Sequence, residues 1–137
     1  MINKDKIFDL FSNNQDVKTT PSIKELTEFK IGMFTKLIQN HEIFHKKLSQ
    51  FLKKENSDYN IEQTKIASSF TVYNKAWFYI NQIDLANKKH LKDVLNFKTD
   101  PFLMVLNKAL QYFEDMEQYE RCGKLLQLIK LKSKSEK

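Results

Sequence analysis

Residues 22–53 read SIKELTEFKIGMFTKLIQNHEIFHKKLSQFLK. Within this stretch Leu26, Phe29, Met33, Leu37, His41, Phe44, Leu48 and Phe51 recur at spacings of three and four, the period of one face of an α-helix. Ser22 and Glu25 stand in the S-x-x-E arrangement, in which each side chain satisfies a backbone N–H left over at a helix start, and Pro21 is tolerated at the entry. The pattern predicts one helix of about thirty residues, from Ser22 to about Lys53, with that stripe facing a core.

The neighbouring segments follow the same period. Glu55 to Asn60 is polar and ends in good cap residues, after which Ile66, Phe70, Tyr73, Trp77 and Ile80 predict a second long helix with an aromatic buried seam. Between Asp84 and Phe97, Leu91, Val94 and Leu95 lie against Lys88, Lys89 and Lys92 and predict a shorter helix. Asp100 before Pro101 is a start signal for a helix carrying Leu103, Leu106, Leu110, Phe113 and Met116. A last helix is expected from near Gln118 to about Leu131, with Tyr119, Cys122, Leu125, Leu126 and Ile129 inward. At the other end, Asn3 with Ile7, Phe8 and Phe11 predicts one short amphipathic turn, and Ser12 to Thr20 reads as a linker.

No segment alternates long enough to argue a strand. The expected fold is all-α, a bundle of about four to five helices, two of them long, ending in a C-terminal helical hairpin. Its expected organisation is a short helix and polar linker over residues 1–21, a helical domain over 22–132 and a disordered basic tail over 133–137. Gly32 and Gly123 fall inside helical patterns, where each costs about 1 kcal/mol relative to alanine. Close approach of a neighbouring helix is the expected reason for both.

With two glycines and two prolines in 137 residues, the chain lacks what tight hairpins, glycine-rich phosphate loops and dinucleotide-binding turns need. The single cysteine, Cys122, cannot form an internal disulfide, and Lys4, Asp5 and Lys6 stand where a signal peptide would be apolar. Cytoplasmic location is therefore expected. Arg121 is the only arginine, and abundant Lys, Asn, Ile and Phe is the usage of an AT-rich genome, such as a low-GC bacterium or its phage.

The net charge of +6 is unevenly placed. Arg121, Lys124, Lys130, Lys132, Lys134 and Lys137 stand against Glu136 alone, so five of the six excess charges lie in the last seventeen residues. An acidic patch, Glu114, Asp115, Glu117 and Glu120, comes just before.

Two strings resemble known motifs. His41-Glu42-Ile43-Phe44-His45 resembles the H-E-x-x-H signature of zinc metallopeptidases. The resemblance implies a zinc shared by His41 and His45, with Glu42 as general base on its water. A third ligand would have to come from Glu62 or His90. Against this, Lys46 and Lys47 follow the second histidine, Leu48 and Phe51 occupy the positions of the metzincin glycine and third histidine, and no sheet is expected to hold a substrate. The favoured reading puts His41 on the apolar stripe as a core or boundary residue, with Glu42 and His45 near the surface.

Residues 119–129, YERCGKLLQLI, resemble the UVR motif of nucleotide-excision-repair and some Clp-associated proteins. Tyr119, Glu120, the small pair Cys122 and Gly123, Leu125 and Ile129 match, while Leu126 and Gln127 replace an Arg-Asp pair. The resemblance spans residues 110–131 and implies a hairpin that pairs with another helical hairpin, in the same protein or in a partner.

With no complete catalytic set, the sequence favours a small non-enzymatic helical interaction or accessory protein. Its candidate contact residues are Phe78, Tyr79, Tyr119 and Leu126, with a protein partner or self-association. An alternative is weak, sequence-independent nucleic-acid binding through Lys88, Lys89, Lys92, Arg121, Lys124, Lys130, Lys132 and Lys134. A zinc-dependent hydrolase using His41 and His45 is a second alternative. On the binding readings no cofactor is expected. Deleting the chain from Lys130 onward is expected to leave the domain folded.

Overall fold

In the computed structural model, which describes Ser22 and residues 25–135, the long periodic stretch forms helix α1, Thr27–Lys54. It begins five residues later than the capping pattern predicts. Leu26 holds an extended conformation at the N-cap and no side chain caps the helix. The Glu25 N–H instead donates to the Ser22 carbonyl at 2.9 Å, closing a turn in which the capping box is not formed. At the other end Asn56 takes a left-handed φ of 51°, and the Ser57 N–H reaches back to the Leu52 carbonyl at 3.0 Å, a Schellman turn that stops the helix sharply. The turn and linker expected over residues 1–21 lie outside the described residues, as do residues 136–137.

Four more helices follow. In α2, Ile61–Ile80, the Asn60 side chain caps by accepting from the Glu62 N–H. In α3, Lys88–Asn96, Asn87 accepts from the Lys89 and His90 N–H groups. Helix α4, Phe102–Asp115, has Pro101 rather than Asp100 at its N-cap, and no side chain caps it. After a second Schellman turn, with Glu117 at φ 59° and the Gln118 N–H on the Phe113 carbonyl, α5 runs Tyr119–Ser135. Residues 133–135, expected in a disordered tail, thus belong to a helix. No strand occurs among the described residues, and the fold is the all-α bundle that the periodicity predicts.

Helices α1 and α2 form one antiparallel hairpin, and α4 with α5 forms a second that packs against it, while α3 touches α1 and α5. The core comes from every helix: Ile31, Phe34 and Ile38 of α1, Ala76 and Ile80 of α2, Val94 of α3, Phe102, Leu106 and Phe113 of α4, and Leu125 and Leu128 of α5 are all fully buried. Phe34 meets Phe102 edge to face, with ring centroids 6.1 Å apart, a geometry that adds to the area each ring buries.

The structure corrects three sequence expectations about which residues face inward. On α1 the buried face is Ile31, Phe34, Ile38, His41 and His45, while the predicted stripe through Met33, Leu37, Phe44 and Phe51 is half-buried to exposed. Both sets keep helical spacing, so α1 is apolar on two sides and periodicity could not rank them. On α2 the seam is buried at Tyr73 and Ile80, yet Ile66 and Phe70 are 63% and 59% exposed. Helix lengths give the reason: at 1.5 Å per residue α1 and α2 span about 42 and 30 Å, whereas α4 spans about 21 Å and ends too soon to cover them. On α5, Tyr119 and Leu126 are exposed and Leu128 takes the inward position.

From residue 46 through residue 72, the distal half of the first hairpin, no residue is buried. The two glycines do not mark close helix crossings: a Cβ at Gly32 or at Gly123 would meet nothing within 4 Å.

Candidate functional site

His41 and His45 project from the inner side of α1 toward α2. Their rings pack edge to face with centroids 4.5 Å apart, and both are buried, which corrects the expected surface position of His45. The His41 Nε2 lies 2.9 Å from the Ser69 Oγ, and the His45 Nε2 lies 2.7 Å from the Ser68 Oγ. The Ser68 hydroxyl also lies within hydrogen-bond distance of the Thr64 carbonyl, at 2.9 Å. The other ring nitrogen of His45, Nδ1, is buried with no hydrogen-bond partner.

Glu42 turns away from both imidazoles. It accepts from the Tyr73 hydroxyl at 3.2 Å and pairs with Lys108 at 3.7 Å, joining α1 to α2 and α4. Burial, with the carboxylate beside it, holds the Tyr73 phenol above its ordinary value. Burial also lowers the His41 imidazole, with His45 adding to the effect and Glu42 opposing it. The two Nε2 atoms that a zinc would share are thus committed to separate serines. Of the third-ligand candidates, His90 accepts the Asp84 N–H on its Nδ1, and Glu62 lies at an exposed position near the start of α2. Among the described residues no three His, Cys, Asp or Glu side chains gather where a metal ion could sit. What the H-E-x-x-H string does here is fasten α1 to α2 and α4 through a polar layer. Adjacent small polar residues at 68 and 69, inside an otherwise aromatic helix, were the sequence signal for that layer.

The basic residues divide into two groups. Arg121 lies over the Trp77 and Phe113 rings, 5.2 Å from each centroid, and donates to the Asn74 Oδ1 at 2.8 Å. The Lys124 ammonium donates to the Asn81 and Ile83 carbonyls at 2.9 and 2.7 Å, closing the end of α2, and burial lowers its pKa. Lys132 is fully buried and donates to the Val94, Leu95 and Phe97 carbonyls at the end of α3. Cations suit these places because helix C-termini present unpaired carbonyls and the negative end of the dipole. Three of the eight residues expected to meet phosphates are therefore structural, and a cut at Lys130 would remove the Lys132 clamp, contrary to the expectation that it leaves the fold intact. Lys88, Lys89, Lys92, Lys130 and Lys134 are exposed.

Among the expected partner residues, Phe78 is 63% exposed, whereas Tyr79 is half-buried against Phe29 with centroids 6.2 Å apart. Tyr119 and Leu126 face outward on α5.

The outer side of α1 leaves apolar surface uncovered. Leu37, Phe44 and Phe51 follow one another at seven-residue intervals, and Phe44 and Phe51 are 59% and 58% exposed. Between this stripe and α2 runs a groove of about 540 Å³ bordered by Met33, Leu37, Phe44, Thr64 and Val72. Lys36, Lys47 and Lys54, eleven and seven residues apart and so on one side of the helix, are exposed beside the stripe. Beyond its first turn α1 carries a single carboxylate, Glu42, and that one faces Tyr73 and Lys108. Sequence reasoning missed these three lysines, although their seven- and eleven-residue spacing was readable.

Comparison with protein-family models, with curated proteins and with solved structures finds no match. Within the described residues no helix is long and apolar enough to cross a membrane.

Proposed function

We propose that this chain is a non-enzymatic helical interaction or accessory protein, and that the outer side of α1 receives an acidic amphipathic helix from a protein partner. The observation that carries this reading is the second apolar stripe of α1. A helix packed on one side needs one stripe, and α1 has two, the inner one filled by its own bundle and the outer one half-buried at Met33 and Leu37 and exposed at Phe44 and Phe51. Seven-residue spacing of Leu37, Phe44 and Phe51 suits a helix lying along the groove, with its apolar seam against theirs. Charge selects the partner's chemistry: Lys36, Lys47 and Lys54 line that side with no carboxylate among them, so flanking Asp and Glu on the incoming helix are favoured.

The test is selection from a displayed library of amphipathic helical peptides on the purified protein, followed by affinity measurement on the winners. Enriched peptides should carry heptad-spaced apolar residues flanked by acids, and should bind the Phe44→Ala/Phe51→Ala double variant at least tenfold more weakly. Winners without acidic flanks, or winners that bind that folded variant equally well, would overturn the reading. Non-specific nucleic-acid binding is the competing reading. It draws on the five exposed lysines of α3 and α5, and it predicts that those lysines alone, and not Phe44 or Phe51, matter.

A further inference from the structure

Helix α5 has an outward side that its own bundle leaves open, and this side is charged oppositely at its two ends. Two adjoining grooves flank it, of about 670 and 450 Å³, and they share Leu85 and Gln127. Asp84, Glu120 and Gly123 border the first; Leu91, Lys130 and Lys134 border the second. The continuous trough thus passes from an acidic end, over a glycine whose absent side chain leaves open space, past leucines, to a basic end.

From this arrangement we infer that the trough takes α5 of a second copy of the chain, lying antiparallel about a two-fold axis at Gln127. The helix is complementary to its own reverse. Seven residues either side of Gln127 stand Glu120 and Lys134, and four either side stand Gly123 and Leu131. An antiparallel copy therefore brings Glu120 of each chain opposite Lys134 of the other and sets each Leu131 over the space at Gly123. Seven and four residues are two turns and about one turn, so both pairs fall on one side of the helix. Lys124, three residues before Gln127, does not oppose Lys130 across the axis, because its ammonium is turned inward to the Asn81 and Ile83 carbonyls. A parallel copy would put acid on acid and base on base. Two-fold pairing also closes, so assembly stops at two. Since a 17-residue helix is only about 25 Å long, the contact is smaller than the roughly 800 Å² per partner of a standard interface, and the dimer should be weak.

Sedimentation equilibrium of the full chain, over about a hundredfold range of concentration reaching the millimolar, tests this directly. Expected is a monomer–dimer equilibrium with no larger species. Glu120→Lys and Lys134→Glu should each weaken it tenfold or more, and the chain carrying both should recover it, because the two-fold axis swaps both partners at once. Gly123→Leu should abolish it with an unchanged circular dichroism spectrum, since that position is exposed and no neighbouring atom obstructs it. Monomer at every concentration, growth beyond the dimer, or a dimer indifferent to these charge reversals would overturn the inference. So would Lys134→Glu losing affinity for a short duplex DNA while leaving self-association unchanged. None of these readouts involves Phe44 or Phe51, so this inference and the reading of α1 can fail separately.

Discussion

The two apolar sides of α1 have similar compositions and opposite fates. On one side Ile31, Phe34 and Ile38 have no exposed surface; on the other Phe44 and Phe51 keep more than half of theirs. Nothing in the residues themselves separates a phenylalanine at 34 from one at 44. The difference lies in where other helices sit, because α4 packs on the side of α1 that carries Phe34 and Glu42, whereas Phe44 and Phe51 lie round the helix from it. A helix with apolar residues on two sides can thus fill one side with its own bundle and leave the other for something else.

That contrast is sharpest in stability. Phe34→Ala empties a fully buried site and should cost about 3–5 kcal/mol, whereas Phe44→Ala should stay within about 0.5 kcal/mol. Urea denaturation of the two variants measures both. A large loss at Phe44 would mean that the outer stripe is already covered within the monomer, and the proposed site would go with it.

A second contrast follows among cations. Lys132→Ala strips three carbonyls at the end of α3 of their donor and opens a cavity, a loss of about 3 kcal/mol, while Lys134→Ala two residues on should change stability by less than about 0.5 kcal/mol. Truncation after Ile129 should destabilise at least as much as Lys132→Ala. Equal thermal midpoints for the two single variants would show that the buried ammonium contributes nothing.

These pairs also mark how far the sequence could be read. Helix type and order were legible because Leu, Phe and Ile keep a period near 3.6 through long runs that no proline interrupts, and the stops at Asn56 and Glu117 fell where polar residues interrupt that period. Facing was not legible. Periodicity places residues on a common side, but which of two sides meets the core depends on the length and position of other helices. Lys132 was hidden for a related reason: a lysine near a C-terminus reads as solvated, and only tertiary placement beside three unpaired carbonyls makes burial favourable. In the H-E-x-x-H string, spacing correctly put both histidines on one side of a helix, but spacing says nothing of Ser68 and Ser69 across from them.

The polar layer that ends the buried side of α1 responds to acid. Since burial holds His41 below the ordinary histidine value of 6.5, the unfolded chain takes up the proton more readily than the folded one. Stability is therefore whole above about pH 6.5 and declines as pH falls below it, by at most about 1.4 kcal/mol per pH unit for one proton. Replacing His41 by Gln removes this titration while leaving an amide to meet Ser69. Denaturation midpoints taken between about pH 7.5 and 5.5 should fall less steeply for the variant than for the parent; parallel slopes would place the acid sensitivity elsewhere.

The smallest effect tests the bare surface from the other direction. Gly32 and Gly123 lie within helices, and an added methyl at either meets no neighbouring atom. Neither has a positive φ, so neither needs glycine's conformational freedom. The alanine variants should each gain up to about 1 kcal/mol, through helix propensity and a less flexible unfolded chain. A gain at both, read in the same denaturation series, would establish that packing within the monomer does not require these glycines. At Gly123 the matching measurement is self-association, where alanine fills part of the space assigned to Leu131 of the second copy. More stable folding with weaker pairing would then separate what α5 does for its own bundle from what its outward side does for another.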